Sequence, residues 1–341
     1  MKKLMSLLLL SAVLSACSEK KPVKVERAFY YWKSDGLHQI EALRRLKTQK
    51  LYVKYFEIDF SGEMGAFPID KTYSKGKIDS TFAVVPTVFI RNEVFLKSSQ
   101  GEIDTLAENV RFLIDKYVAY SNNKDIPAEW QFDCDWTPKS RDNYFRFLKK
   151  IKAISGKQIS CTLRLYPFKY RTKMGVPPVD RAMLMCYNLI QPLEDKTRNS
   201  ILDVDELKAY LTVDEKYPLP LDVALPIFSW MHLYHNGKFS GLVDGRINKF
   251  GAAVKKTKPI WYEFVKDTVI DYEHYFREGD QIKFEEITTK QLFAAQKLLV
   301  EKLKLHGDVT VSLFHFDNEQ LSAFKDDEIE KLYSGFTASG K

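Results

Sequence analysis

The 341-residue chain carries 52 lysines and arginines against 45 aspartates and glutamates, a formal net charge of +7 with the two signs interspersed along the length. No polybasic arm stands out, which argues against a nucleic-acid partner. Hydrophobic residues at 45% and aromatics at 13% supply a packed core and exclude a disordered surface protein. The length suits one large domain or two modest ones.

At the amino terminus, Lys2 and Lys3 precede the apolar run Leu4 to Leu10, and Ser15-Ala16 provide the small residues that a signal peptidase needs beside its cut. The run is too short to span a bilayer, so residues 1–16 are expected to be a signal peptide. Leu14-Ser15-Ala16-Cys17 resembles the bacterial lipobox, which implies lipidation (palmitate-type acylation) at Cys17 and attachment to the membrane through that anchor. Ser18 comes next, where Asp commonly marks inner-membrane retention, so the outer membrane is expected, with the leaflet open. Residues 17–27 are polar and form the lipidated tether.

From residue 28 the pattern changes. Short runs rich in β-branched and aromatic residues recur: Ala28 to Trp32, Leu51 to Phe60, Val84 to Phe95, Trp130 to Trp136, Ile159 to Pro167, Ala182 to Asn188, Leu221 to Trp230 and Val309 to Phe316. Between them, Gly36 to Lys47, Ile103 to Tyr120, Ser140 to Ile154, Asp203 to Leu211 and Thr288 to Leu305 carry helical periodicity. Strand alternating with helix implies an α/β fold with a parallel sheet. Eight such strands predict a single (β/α)8 TIM barrel over residues 28–335, with a doubly wound two-domain arrangement as the alternative. His235-Asn236-Gly237-Lys238 reads as a tight hairpin, and residues 231–287 form an insertion after the seventh strand, expected at the carboxyl rim.

The fourth strand is the richest in chemistry. Alternation over Trp130-Gln131-Phe132-Asp133-Cys134-Asp135-Trp136 puts Gln131, Asp133 and Asp135 on the inward face and Trp130, Phe132, Cys134 and Trp136 on the helix side. Two inward carboxylates repel each other and are costly unless paired or protonated, so such pairs are more often functional than structural. A barrel-interior ion pair of Asp133 with Arg164 on the fifth strand, serving packing alone, is the competing reading.

This stretch resembles the family 18 glycoside hydrolases, the chitinase-like barrels, whose fourth strand carries D-x-x-D-x-D-x-E. Asp133 and Asp135 match the second and third acids, while Trp130 stands at the first and Thr137 at the catalytic glutamate. Met185-Cys186-Tyr187-Asn188 resembles that family's M-x-Y-D, with Asn188 in place of the acid, and Leu225-Pro226-Ile227-Phe228 adds a fainter likeness. The family's S-x-G-G is missing from Val85-Pro86-Thr87-Val88. Together with Gly175-Val176-Pro177-Pro178-Val179-Asp180-Arg181 the pattern is similar to bacterial lipoproteins of that clan.

The resemblance implies a glycan or oligosaccharide partner, with Asp133, Asp135 and Tyr187 as the catalytic group and Asn188, Arg164, Trp32, Trp230, Glu57 and Asp59 binding substrate. A threonine cannot act as the general acid, which needs a pKa near the operating pH. A displaced acid would come from Glu57, Asp59, Glu263 or Asp317. Tyr187, Trp230, Trp32 and His315 could ring the mouth for sugar stacking, although each alone is as readily core.

Cys134, Cys161 and Cys186 fall on three consecutive strands, facing the helices, and are expected to be buried free thiols rather than a metal site. No nucleotide loop or serine elbow occurs, and neither cofactor nor metal is expected. A carbohydrate-active enzyme and a catalytically silent glycan-binding barrel both remain open, with a structural envelope lipoprotein as a third class.

Overall fold

A computed structural model describes residues 22–33, 40–70, 81–120, 127–213, 215–243, 245–270 and 274–337. The expected signal peptide, Cys17 and the first part of the tether lie outside the described residues, as does the start of the helix expected at Gly36.

In chain order the first half comprises β1 (Lys24–Tyr31), α1 (Glu41–Arg45), β2 (Lys50–Ser61), β3 (Gly65–Ile69), β4 (Ala83–Ile90), α2 (Asn92–Lys97), α3 (Gln100–Tyr120), β5 (Glu129–Asp133) and α4 (Arg141–Ser155). Next come β6 (Gln158–Arg164), α5 (Leu165–Lys169), α6 (Arg171–Met174), β7 (Arg181–Met185), α7 (Val204–Leu211) and β8 (Leu221–Pro226). After an inserted sheet come α8 (Thr289–Leu303), β16 (Asp308–Phe314), α9 (Asn318–Leu321) and α10 (Asp326–Thr337). The strands β1, β2, β4, β5, β6, β7, β8 and β16 pair in parallel, and β1 with β2 closes the ring from Ala28↔Lys50 to Tyr31↔Val53. The chain is therefore a closed eight-stranded (β/α)8 barrel, as the alternation of strand and helix predicts.

The alternation on β5 holds. Gln131 faces the interior, accepting from the Tyr30 hydroxyl at 2.6 Å and donating to Ser160 Oγ at 3.3 Å. Phe132 faces outward, edge-on to Phe147 of α4 with ring centroids 5.1 Å apart. Below this layer the interior is ionic: Lys50 meets Glu26 and Glu129 at 2.6 and 3.2 Å, and Arg181 grips Asp222 through two hydrogen bonds. Cys134, Cys161 and Cys186 are free and buried, and burial pushes each thiol's pKa up. Helix α8 opens with a Thr288/Gln291 capping box, and α10 docks on β1 through Tyr333, whose hydroxyl donates to the Ala28 carbonyl at 2.9 Å.

Several strands stop earlier than the apolar runs suggest. β4 ends at Ile90, because Val94 and Phe95 form the buried face of α2. The run expected from Leu221 to Trp230 breaks after Pro226, where Ser229 is held through its amide (3.0 Å) and hydroxyl (2.8 Å) by Gln320 Oε1. Trp230 then begins the inserted sheet.

The insertion contains β9 (Trp230–His235), β10 (Lys238–Val243), β11 (Val254–Lys258), β12 (Trp261–Phe264), β13 (Thr268–Ile270), β14 (His274–Phe276) and β15 (Gln281–Glu285). Five of these form an antiparallel sheet ordered β10-β9-β15-β12-β11. Asn236 and Gly237 turn the β9–β10 hairpin with φ of 50° and 73°, the left-handed pair a type I′ turn requires. One sheet face builds a separate core from Met231, Phe250, Phe264, Phe276, Ile282 and Phe284. The other face lies under the loop after β7. There the fully buried Lys283 pairs with the fully buried Glu285 at 2.9 Å and donates to the carbonyls of Pro192 (3.0 Å) and Asp195 (2.6 Å). Glu285 also accepts from the Ser200 amide and hydroxyl and from the Trp230 indole. A buried pair of this kind is tolerable because nearly every lone pair and proton has a partner.

Candidate functional site

At the carboxyl ends of the barrel strands a cavity of about 220 Å³ is lined by Trp32, Glu57, Phe89, Asp133, Asp135, Arg164, Met185, Tyr187, Asn188 and Phe314. This is the end at which barrels of this kind place their chemistry.

Asp133 is the last residue of β5. Its Oδ1 accepts from the Thr162 hydroxyl at 2.5 Å. Burial raises its pKa to about 6, with the Asp135 and Glu57 charges adding to the rise and Thr162 and Arg164 opposing it. Asp135, two residues further, is exposed and pairs with Arg164 Nε at 3.6 Å. Arg164 thus contacts Asp135 directly, whereas its effect on Asp133, the partner expected from sequence, is through space. A second guanidinium nitrogen of Arg164 donates to the Asn188 carbonyl at 3.5 Å.

Tyr187 is buried, and its ring stacks on Phe314 at 5.0 Å while its hydroxyl meets Met185 Sδ at 3.8 Å. Burial raises its pKa well above the ordinary value, so it serves as a neutral donor. Asn188 adopts φ of 54°, a left-handed conformation that asparagine tolerates better than most residues. Its side-chain oxygen is buried without a hydrogen-bond partner. Trp32 packs against Tyr30 and Phe314, and the Lys54 ammonium lies 5.8 Å from its ring centroid. Lys54 is buried and bridges Glu57 at 3.0 Å and Asp70 at 2.5 Å, which fixes the Glu57 carboxylate on the cavity wall.

Other expected residues stand elsewhere. Asp59 is held by Arg91 at 3.2 Å and does not line the cavity. Trp230 is turned to Glu285 and the inserted sheet, and His315 is not among the lining residues. Glu263 pairs with Lys255 at 3.3 Å. Asp317 caps α9 through the Gln320 amide at 2.9 Å and meets Lys33. Thr137 is turned to the start of α4, where its amide donates to Ser140 Oγ at 2.9 Å. Of the four candidate displaced acids, only Glu57 reaches the cavity. Among the described residues of 231–287 none lines it, although the insertion leaves the barrel at this rim.

Sequence reasoning missed the apolar half of the lining. Phe89 and Phe314 sit on strand runs that read as ordinary core, and only closure of the barrel brings them to one mouth with Met185 of the M-x-Y-D-like stretch. Among the described residues no group of three His, Cys, Asp or Glu side chains is placed to hold a metal ion. The arrangement offers three carboxylates, one of them half-protonated near pH 6, together with an arginine, an unpaired amide oxygen and an indole. Those groups suit a ligand rich in hydroxyl and amide groups with an apolar ring face.

No family model matches the chain, and no curated protein matches it. Solved structures do. The spore cortex-lytic enzyme SleL of Bacillus megaterium QM B1551 aligns over 93% of this chain and 75% of its own, at 14% identity and a TM-score of 0.56. The Bacillus cereus enzyme of the same name aligns over 92% and 74%, at 13% identity and a TM-score of 0.53. A chitinase from Rhizomucor miehei aligns over 90% and 99%, at 12% identity and a TM-score of 0.51. The chain shares the barrel fold of these spore cortex-lytic enzymes and of the chitinase.

Proposed function

We propose that this protein is an outer-membrane lipoprotein whose barrel binds a glycan containing N-acetylhexosamine at its carboxyl mouth. The observation that carries this reading is the cavity that gathers Asp133, Asp135, Tyr187 and Asn188 beside Trp32. In it, Asp135 and the free Asn188 oxygen accept from sugar hydroxyl and amide groups, Tyr187 donates, and Trp32 offers a stacking face. The resemblance of Asp133 and Asp135 to the chitinase-like motif, and the chitinase and cortex-lytic enzymes among the fold neighbours, support the ligand class. Binding without ready hydrolysis is the favoured form, because Thr137 has no titratable group and is turned to Ser140. One observation favours a second reading as a hydrolase: Asp133, at about 6, is poised to donate a proton.

A calorimetric titration of the protein with N-acetylglucosamine oligomers, with chromatography of the same samples, tests both. Saturable binding without products is expected, weakened at least tenfold by Asp135→Asn. Rapid product release would establish the hydrolase, and absence of binding to any oligomer on a glycan array would refute the proposal.

A further inference from the structure

A second and larger cavity, of about 490 Å³, opens on the inserted sheet and shares no lining residue with the barrel mouth. Its walls come from β9, β11, β12, β15, the β9–β10 and β11–β12 turns and the loop after β7. That volume lies in the range of small-molecule sites.

Tyr234 and Trp261 form a corner, with ring centroids 5.0 Å apart and planes inclined at 50°. The Trp261 indole is fixed by its hydrogen bond to the Lys196 carbonyl at 2.8 Å. Tyr234 is only 2% exposed, yet its hydroxyl has no hydrogen-bond partner, an arrangement that leaves a buried donor unsatisfied until something else fills the role. Gln281 adds an amide to the wall. Lys196 lies over the Tyr234 ring at 5.2 Å. Among the described residues, neither Lys196 nor Lys258 forms a salt bridge. Asp195, next to Lys196 in the chain, already accepts from the amides of Thr197 and Arg198 and from the Thr197 hydroxyl.

We propose that this cavity binds an acidic sugar, a hexose-sized ring bearing a carboxylate or a phosphate. The partly exposed Trp261 indole takes the apolar ring face, with Tyr234 packed behind it. The Tyr234 hydroxyl and the Gln281 amide take ring hydroxyls, and Lys196 and Lys258 take the anion. The site is independent of the barrel mouth and stands whether or not that mouth binds glycan.

The full chain in detergent is titrated by tryptophan fluorescence with glucuronate, glucose 6-phosphate and glucose at low salt. Saturable binding of at least one acidic probe is expected, at least tenfold tighter than glucose and weakened by about 0.5 M NaCl, since exposed charges are screened. The stronger of the two acidic probes identifies the anion. The double variant Lys196→Glu/Lys258→Glu changes exposed side chains and should fold normally; it should weaken binding at least tenfold. Tyr234→Phe, which removes only the hydroxyl, should weaken it severalfold. The proposal falls if neither acidic probe saturates, if glucose binds equally well, or if binding survives the double charge reversal.

Discussion

Asp133→Asn separates an acid that is held against its preference from one that merely fills space. A pKa moved from 3.8 to about 6 means that the folded state disfavours the charged form by about 3 kcal/mol. Well below pH 3.8 the carboxyl is protonated in both folded and unfolded chains and contributes nothing to the difference. Between about 4 and 6 the unfolded chain releases the proton while the folded one keeps it, so stability is lost as pH rises, and above 6 the full penalty stands. Asparagine keeps an oxygen for the Thr162 hydroxyl and carries no charge. The variant should therefore gain up to about 3 kcal/mol relative to wild type at pH 7.5 and only about 0.5 kcal/mol at pH 4. In urea unfolding the pH-dependent part, about 2.5 kcal/mol, is the measured quantity, because any constant effect of the amide cancels between the two conditions. A stability difference equal at both pH values would refute the reasoning. Asp133 would then be as comfortable charged as an acid in water, and its claim to proton transfer would go with it.

Cys17→Ala should shift the protein from the detergent phase to the aqueous phase in Triton X-114 partitioning, since two or more acyl chains are what stable anchoring requires; retention in the detergent phase would disprove lipidation there. Cys134, Cys161 and Cys186 should react slowly with a thiol reagent in the native state and give three equivalents in denaturant without reductant, whereas a single equivalent would reveal a disulfide. Lys283→Met should cost about 3–5 kcal/mol in urea unfolding by leaving Glu285 buried without its cation. A loss below about 1 kcal/mol would show that the pair is dispensable.

The barrel was legible because its buried strands are near-continuous β-branched and aromatic runs, a signal that survives without knowledge of their partners. The segments just beyond the strand ends were not, since apolar residues at the barrel rim can extend a strand or turn inward on a short helix. Val94 and Phe95 took the second course, and so did Leu165 and Phe168 on α5. β3 escaped because a hairpin on the overshooting end of β2 (Ser61↔Gly65) has little apolar period of its own. At the site, the inward face of β5 came from period 2 alone. The partner of Arg164 did not, because the choice between two acids spaced by two residues depends on how far β5 continues. Nor did the fate of Trp230, since its acceptor, Glu285, lies 55 residues further along the chain.

The Lys283 ammonium reaches the loop after β7 through the carbonyls of Pro192 and Asp195, neither of which depends on a side chain. That joint makes the insertion a poor candidate for transplantation by itself. A chimera that carries residues 231–287 into another barrel would bring Lys283 and Glu285 but leave the two carbonyl acceptors behind, whereas one that carries residues 189–203 as well would bring the socket with the plug. Sequence change in that loop is constrained at the level of its path rather than its letters: substitutions at Pro192 or Asp195 are tolerable so long as both carbonyls keep their position, while a single-residue deletion between them is not.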